Sequence, residues 1–398
     1  MAYGRAVLKW DGPLDAIADR RKQGRIPAAA VVRAALAMCL CRLGSLNALG
    51  QTTESPFWRR WLGQSLPSPD TLGRVAGLID VPSLRAVGRH VYDRLKRNKA
   101  LAPPPHGLIA AVLDGHETHA SYKRHCPGCL ERTIHTAAGD RIQYYHRLVA
   151  VSLITADLRL MLDAEPMVPG EDEVAAALRL LDRVLGDYPR AFDLIQGDAL
   201  YADPRFFGWA IAHGKDALAV LKDDRRDLLA DAQRLFEDLP PARQSRGNVQ
   251  RDGWDLSGFT TWPQVRVPVR VLRSRETRTL TRQLDGRTDT TVSDWFWVTT
   301  LSEHQASTGA VVQIGHDRWG IENEGFNQLA NQYHADHVYR HDPTALLVFW
   351  LIAQWAMNLF TVFFLRNLKP AARKAVSMLH VARLLLAELY RPPSHAPT

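Results

Sequence analysis

Three carboxylates far apart in the chain, Asp114, Asp198 and Glu322, could support metal-assisted chemistry if folding brought them together. Asp114 follows the apolar run Gly107 to Leu113, and Asp198 follows Phe192 to Ile195. Both runs read as buried central strands, and Glu322 lies on a later helix. Residues just past the ends of such strands line the crevice where open α/β sheets hold ligands. Carboxylates converging there can grip two divalent cations about 3.5–4 Å apart. All-oxygen donors suit Mg²⁺ or Mn²⁺. One ion would activate a water or a 3′-hydroxyl, and the other would stabilise the leaving 3′-oxygen of a phosphodiester. The plainer reading of a strand-end Asp is a turn or cap. Arg318 stands four residues before Glu322, on one helical face, the spacing of an ordinary surface ion pair. Trp319 beside it is either core or a platform for an unpaired base.

A second chemistry is available at Cys126-Pro127-Gly128-Cys129, a tight turn surrounded by His116, His119, His125, His135 and His146. Zinc takes four nitrogen or sulfur ligands, and the turn supplies two. No second Cys pair follows, so the others must be histidines. His116 and His119 are expected, with His135 behind them. A redox pair or two unrelated thiols are the other readings. Cys39 and Cys41 cannot share one helical face and are read as core. His334, His337 and His341 read as a polar helix end or a DNA-facing turn, with a second metal site as the alternative.

The surrounding pattern supplies scaffolding for these groups. Residues 1–100 read as helical: Ala28 to Leu43, a short helix opened by Ser68-Pro69-Asp70-Thr71, and another from Ser83 to Lys99. Serine cap, first-turn proline and early acid are helix-start signals. Ala102-Pro103-Pro104-Pro105 reads as a linker. Beyond it come strands at Gln143 to Ile154 and Arg159 to Met167, then an amphipathic helix from Glu171 to Leu185. A helix at Pro204 to His213 and a strand at Ala217 to Leu221 follow. From about Asp223 to Thr300 strand-forming stretches dominate. A helix is expected from Ala310 to Asn331.

Ala345 to Leu365 is apolar and long enough to cross a bilayer. However, Gln354, Asn358 and Thr361 recur at i, i+4, i+7, which favours a core helix over a membrane span. The net charge is +8, with Lys+Arg 50 against Asp+Glu 42. Residues 1–100 carry 17 basic and 7 acidic side chains, whereas the rest carry 33 and 35. The positive excess sits in the N-terminal quarter, where it suits a phosphate backbone, though a merely solvated basic face would look alike. Four cysteines in 398 residues do not suggest a disulfide framework. With no apolar stretch behind Met1-Ala2-Tyr3-Gly4-Arg5, the expected location is cytoplasmic, at the nucleoid when bound to DNA.

Three stretches carry a family resemblance: Leu113-Asp114-Gly115-His116-Glu117, Gly197-Asp198-Ala199-Leu200-Tyr201-Ala202-Asp203 and Arg318-Trp319-Gly320-Ile321-Glu322-Asn323. They resemble the three motifs of DDE transposases from bacterial insertion sequences. The resemblance covers roughly residues 107–365 and implies a ribonuclease-H-like α/β fold with a mainly β insertion before the Glu. It further implies Asp114, Asp198 and Glu322 as catalytic ligands of two Mg²⁺ or Mn²⁺, and Arg318, Trp319 and Asn323 as phosphate or DNA contacts. The partners would be the terminal inverted repeats of the insertion sequence and target DNA, bound by a homo-oligomer, with no membrane. One branch of the family has Tyr and Lys where this chain has Gly315 and Leu329, and Arg-Glu in place of Ala199-Leu200. The expected domains are a helical N-terminal region (1–100), catalytic segments at 107–222 and 306–390, the insertion at 223–305, and a disordered tail (391–398). A DNA-binding regulator without catalysis and a nuclease that does not join strands are the alternatives.

Overall fold

A computed structural model describes residues 1–222, 227–281 and 285–390. The expected disordered tail at 391–398 and the first residues of the insertion, 223–226, lie outside the described residues. The strands are β1 (Ala110–Ser121), β2 (Leu130–Thr136), β3 (Gly139–Ile154), β4 (Arg159–Pro166), β5 (Leu194–Gly197), β6 (Asp216–Val220), β7 (Ala242–Arg246), β8 (Val249–Phe259), β9 (Val269–Thr281) and β10 (Thr288–Thr299). With the helices between them they make a mixed α/β chain, as expected. It divides into two compact units: Met1–Ala102, Gly115–Pro189 and Ile321–Thr398 form the first, and Pro103–Asp114 and Arg190–Gly320 the second.

The first unit is built around helix Pro343–Arg366. Asp342 caps it by accepting from the Ala345 N–H at 2.9 Å, and Pro343 occupies its first turn, where a missing N–H costs nothing. Nearly every side chain from Val348 to Phe360 is buried, so the helix has no free apolar face to offer lipid. Its polar stripe is used internally. The Asn358 Oδ1 accepts from Met161 N–H at 3.1 Å, while Asn358 Nδ2 and Gln354 Nε2 donate to Met161 O at 2.6 and 3.0 Å. These bonds satisfy backbone groups of β4 that no neighbouring strand reaches, which is why amides persist in an apolar helix. Helix Ala28–Leu40 packs against it; its alanines permit close approach, and only Arg33 is not fully buried. Helix Pro69–Ala76 starts on the expected cap, Ser68, whereas Val81–Arg97 is capped by Asp80 and starts two residues before the expected Ser83. β3 pairs antiparallel with β2 through its first half and with β4 through its second.

The second unit has a parallel core, β1–β5–β6, onto which β10 adds antiparallel to β6. From β10 the insertion continues as an antiparallel meander, β10–β9–β8–β7. The insertion is therefore mainly β, but helix Asp227–Glu237 precedes its strands. That helix buries Leu228, Leu229, Ala232 and Phe236 on one side, an amphipathic rhythm that the sequence reading passed over. β1 also departs from expectation. It does not stop at Leu113 but runs through Asp114 to Ser121, its polar second half lying beside β3, where Thr118 Oγ1 donates to His146 O at 3.4 Å.

Candidate active site and a thiol–imidazole cluster

The aspartates belong to the second unit and are placed by strand register. β1 pairs with β5 through Ala110 with Leu194, Ala111 with Ile195 and Val112 with Gln196, an offset of 84 residues. The same offset separates Asp114 from Asp198. Asp114 lies within β1, two residues beyond the last of these pairs, and Asp198 follows the last residue of β5. Alternation also gives Asp198 the face of Gln196, two residues earlier. On that face the Gln196 amide donates to Ile314 O at 2.8 Å and to Gly315 O at 3.3 Å, so β5 holds the last turn of helix Thr308–Asp317. Arg318 follows that helix directly. It is 6% exposed, and its Nη1 lies 3.4 Å from Asp114 Oδ2. Asp198 accepts from the Leu200 N–H at 2.8 Å, which opens the short helical turn Ala199–Tyr201.

The other motif residues have structural explanations. A Cβ on Gly197 would stand 2.3 Å from the Tyr201 ring, and one on Gly115 would stand 2.1 Å from Glu173 Oε2. Glu117 is held in a two-pronged ion pair with Arg132 at 2.7 and 2.9 Å. Asp203 caps helix Pro204–Ala212. Trp319 is 40% exposed and meets Trp295 edge-on at 6.1 Å. With Arg251, Glu276, Arg278 and His316 it lines a groove of ≈ 670 Å³ in the second unit. Within that groove His316 Nε2 lies 2.7 Å from Glu276 Oε1. Burial alone would raise the Glu276 pKa, but His316, Arg251 and the Ser274 hydroxyl outweigh it and hold the carboxyl at about 2.

Glu322 and Asn323 belong to the first unit, as the second and third residues of the π-helical turn Ile321–Phe326. Glu322 is half-buried and Asn323 exposed. Single π-helical turns are rare and recur at functional sites.

The first unit also gathers the cluster Cys126, Cys129, His146 and His341, whose ligand atoms all lie within 4.8 Å of one another. This corrects the expected set. His116 instead bonds Asp336 at 2.9 Å and stacks on Phe326, and His135 sits on the β2–β3 hairpin against Asp140 at 2.7 Å. His119 stays close, its ring edge-on to His341 at 5.8 Å, but is not one of the four. Burial, with His341 and His119 nearby, pushes His146 down to about 4, and burial lowers His341 too, so both rings are neutral donors near pH 7. Burial raises the Cys126 thiol to about 11. The position of His341, one residue before the cap of the buried helix, was the available signal; the sequence reading had grouped it with His334 and His337.

Residues 107–359 match the family model of the transposase DDE domain. No curated protein matches the chain. Two of the three departures from the better-known branch have packing causes. A Cβ on Gly315 would stand 2.4 Å from Trp297 Nε1, which fills the space a Tyr would need, and Leu329 is fully buried where a Lys would need solvent. The matched stretch is more than half of the chain and includes all three acidic motifs, on a ribonuclease-H-like α/β fold with a β insertion; the protein belongs to the DDE transposases of insertion sequences.

Proposed function

We propose that this transposase cuts the 3′ ends of its insertion sequence and joins them to target DNA, using two divalent cations held by Asp114, Asp198 and Glu322. The observation that carries this reading is the shared 84-residue offset of the β1–β5 register and the two aspartates. Hard carboxylates converging from adjacent parallel strands fit Mg²⁺ or Mn²⁺. Bound there, such ions supply the Lewis acidity that activates the attacking oxygen and stabilises the leaving 3′-oxygen. The protein's own share is positional. Gln196 fixes the helix end that carries Arg318, and Arg318 keeps Asp114 oriented and sets a positive charge where a phosphate approaches. Trp319 and Asn323 contact the DNA. The basic N-terminal region binds the terminal inverted repeats, and two copies hold the two ends together.

The test is a cleavage and joining assay with Mg²⁺ on DNA carrying the sequences that flank the gene. The wild type is expected to transfer a 3′-hydroxyl end to a new strand, and Asp114→Asn to lose that activity while still binding the DNA. Equal activity in Asp114→Asn would defeat the reading; hydrolysis without transfer would replace it with a nuclease.

A further inference from the structure

We propose that Cys126, Cys129, His146 and His341 form a closed tetrahedral site for one structural Zn²⁺. The inference goes beyond the proposed strand transfer and does not depend on it.

The distances match a zinc tetrahedron. With Zn–S near 2.3 Å and Zn–N near 2.0–2.1 Å, a tetrahedron has S···S edges of about 3.8 Å and S···N edges of about 3.6 Å. The cluster gives Cys126 Sγ to Cys129 Sγ at 3.7 Å, and sulfur-to-Nε2 separations of 3.3, 3.2 and 3.4 Å. A disulfide is a different geometry, with sulfurs near 2.05 Å. Thiol hydrogen bonds are also a poor account. Cys129 Sγ stands within contact of two imidazole nitrogens and a second sulfur, so hydrogen bonding would rest on one sulfur accepting weakly from several donors, whereas one metal ion satisfies the whole set.

The surroundings are those of a closed site. The Cys126 N–H donates to Cys129 Sγ at 3.2 Å, and the Cys129 N–H closes the turn onto Cys126 O at 3.0 Å. Backbone N–H groups aimed at sulfur stabilise it as thiolate. A Cβ on Gly128 would stand 3.0 Å from Pro343, so the turn lies directly on the first residue of the buried helix. Three segments meet here: the turn after β1, strand β3, and the approach to helix Pro343–Arg366. The turn follows Asp114 by 12 residues and His341 follows Glu322 by 19. Zinc would pin together the segments that continue from those two acids, in parallel with the His116–Asp336 bond.

The experiment is metal analysis of the full-length protein purified without added metal, with Co²⁺ exchange as a second readout. The wild type is expected to hold about one zinc per chain, and its Co²⁺ form to show the intense visible bands of a tetrahedral S₂N₂ site. Cys126→Ser/Cys129→Ser and His341→Ala should each lower zinc content at least about fivefold, whereas His135→Ala and His119→Ala retain it. Wild-type protein without zinc and without the Co²⁺ spectrum would overturn the proposal, whether or not the variants fold. So would a Cys126–Cys129 disulfide, or zinc lost from His119→Ala but kept by His341→Ala. None of these readouts involves DNA, so failure here leaves the strand-transfer reading standing.

Discussion

The carboxylate end of the second unit and the thiol–imidazole cluster of the first reach their geometry by different routes. Asp114 and Asp198 follow residues paired in one parallel register, with the same 84-residue offset as the pairs before them. Arg318 reaches the first, and the Leu200 N–H donates to the second. The cluster is instead closed on itself, three of its members falling between 126 and 146 and the fourth arriving at 341. A site that must admit DNA keeps coordination positions open, whereas a site that staples the fold fills them. Activity and stability should therefore separate at the first site and travel together at the second.

The sharpest way to break that contrast is Asp198→Asn. Asn caps a helical turn as well as Asp does, so the Leu200 N–H keeps its acceptor and unfolding free energy should stay within about 0.5 kcal/mol of wild type. Strand transfer should fall about 10³-fold or more, on the order of 4 kcal/mol of transition-state stabilisation. Denaturant unfolding and the joining assay, run on one preparation, decide it. A large stability loss would mean that Asp198 is chiefly a cap.

Next in size is Gly315→Tyr, which restores the side chain of the better-known branch. Trp297 is 1% exposed and occupies that volume, so overpacking should cost about 2–3 kcal/mol and activity should not improve. A stable and more active variant would show that the second unit repacks more freely than its contacts indicate. Asn358→Leu makes the matching test in the first unit. It is close in volume but strips the Met161 N–H of its acceptor and removes one of two donors to Met161 O. The expected loss is about 1–3 kcal/mol by denaturant unfolding. An unchanged midpoint would mean that water replaces the amide.

How much of this was legible in the sequence follows from the range of the order involved. Asp114 and Asp198 could be read because each ends an apolar run, and period and punctuation are local signals. The second half of β1 could not: Gly115 to Ser121 is polar and half-buried, and reads as strand only once β3 lies beside it. β2 was missed for the same reason, with Ile134 its one apolar side chain after Leu130. Helix Asp227–Glu237 was local and legible but was absorbed into a β reading. The role of Gln354 and Asn358 as a stripe was visible, though not that Met161 was its object. His341 was the hardest, because a ligand 212 residues from Cys129 is selected by tertiary closure and by nothing in its own neighbourhood.

The smallest expected effect marks where the contrast ends, since the second unit also uses a buried acid structurally. Glu276 ordinarily titrates at 4.5, and its partners in the fold hold it at about 2. The sign follows from the direction of that shift: a carboxyl lowered on folding adds stability that is fully present above about pH 4.5 and lost as pH falls toward 2. Glu276→Gln removes the charge while nearly preserving shape, so the wild-type advantage should be about 1–3 kcal/mol at pH 7, after allowance for partial solvent screening. It should narrow steadily between pH 4.5 and 3. Paired denaturant titrations at those three pH values measure the narrowing. A gap that stayed constant with pH would assign the loss to packing against Arg251 and His316. Glu276 would then be a spacer in the groove it lines with Trp319, and not a charge whose neutralisation loosens that groove.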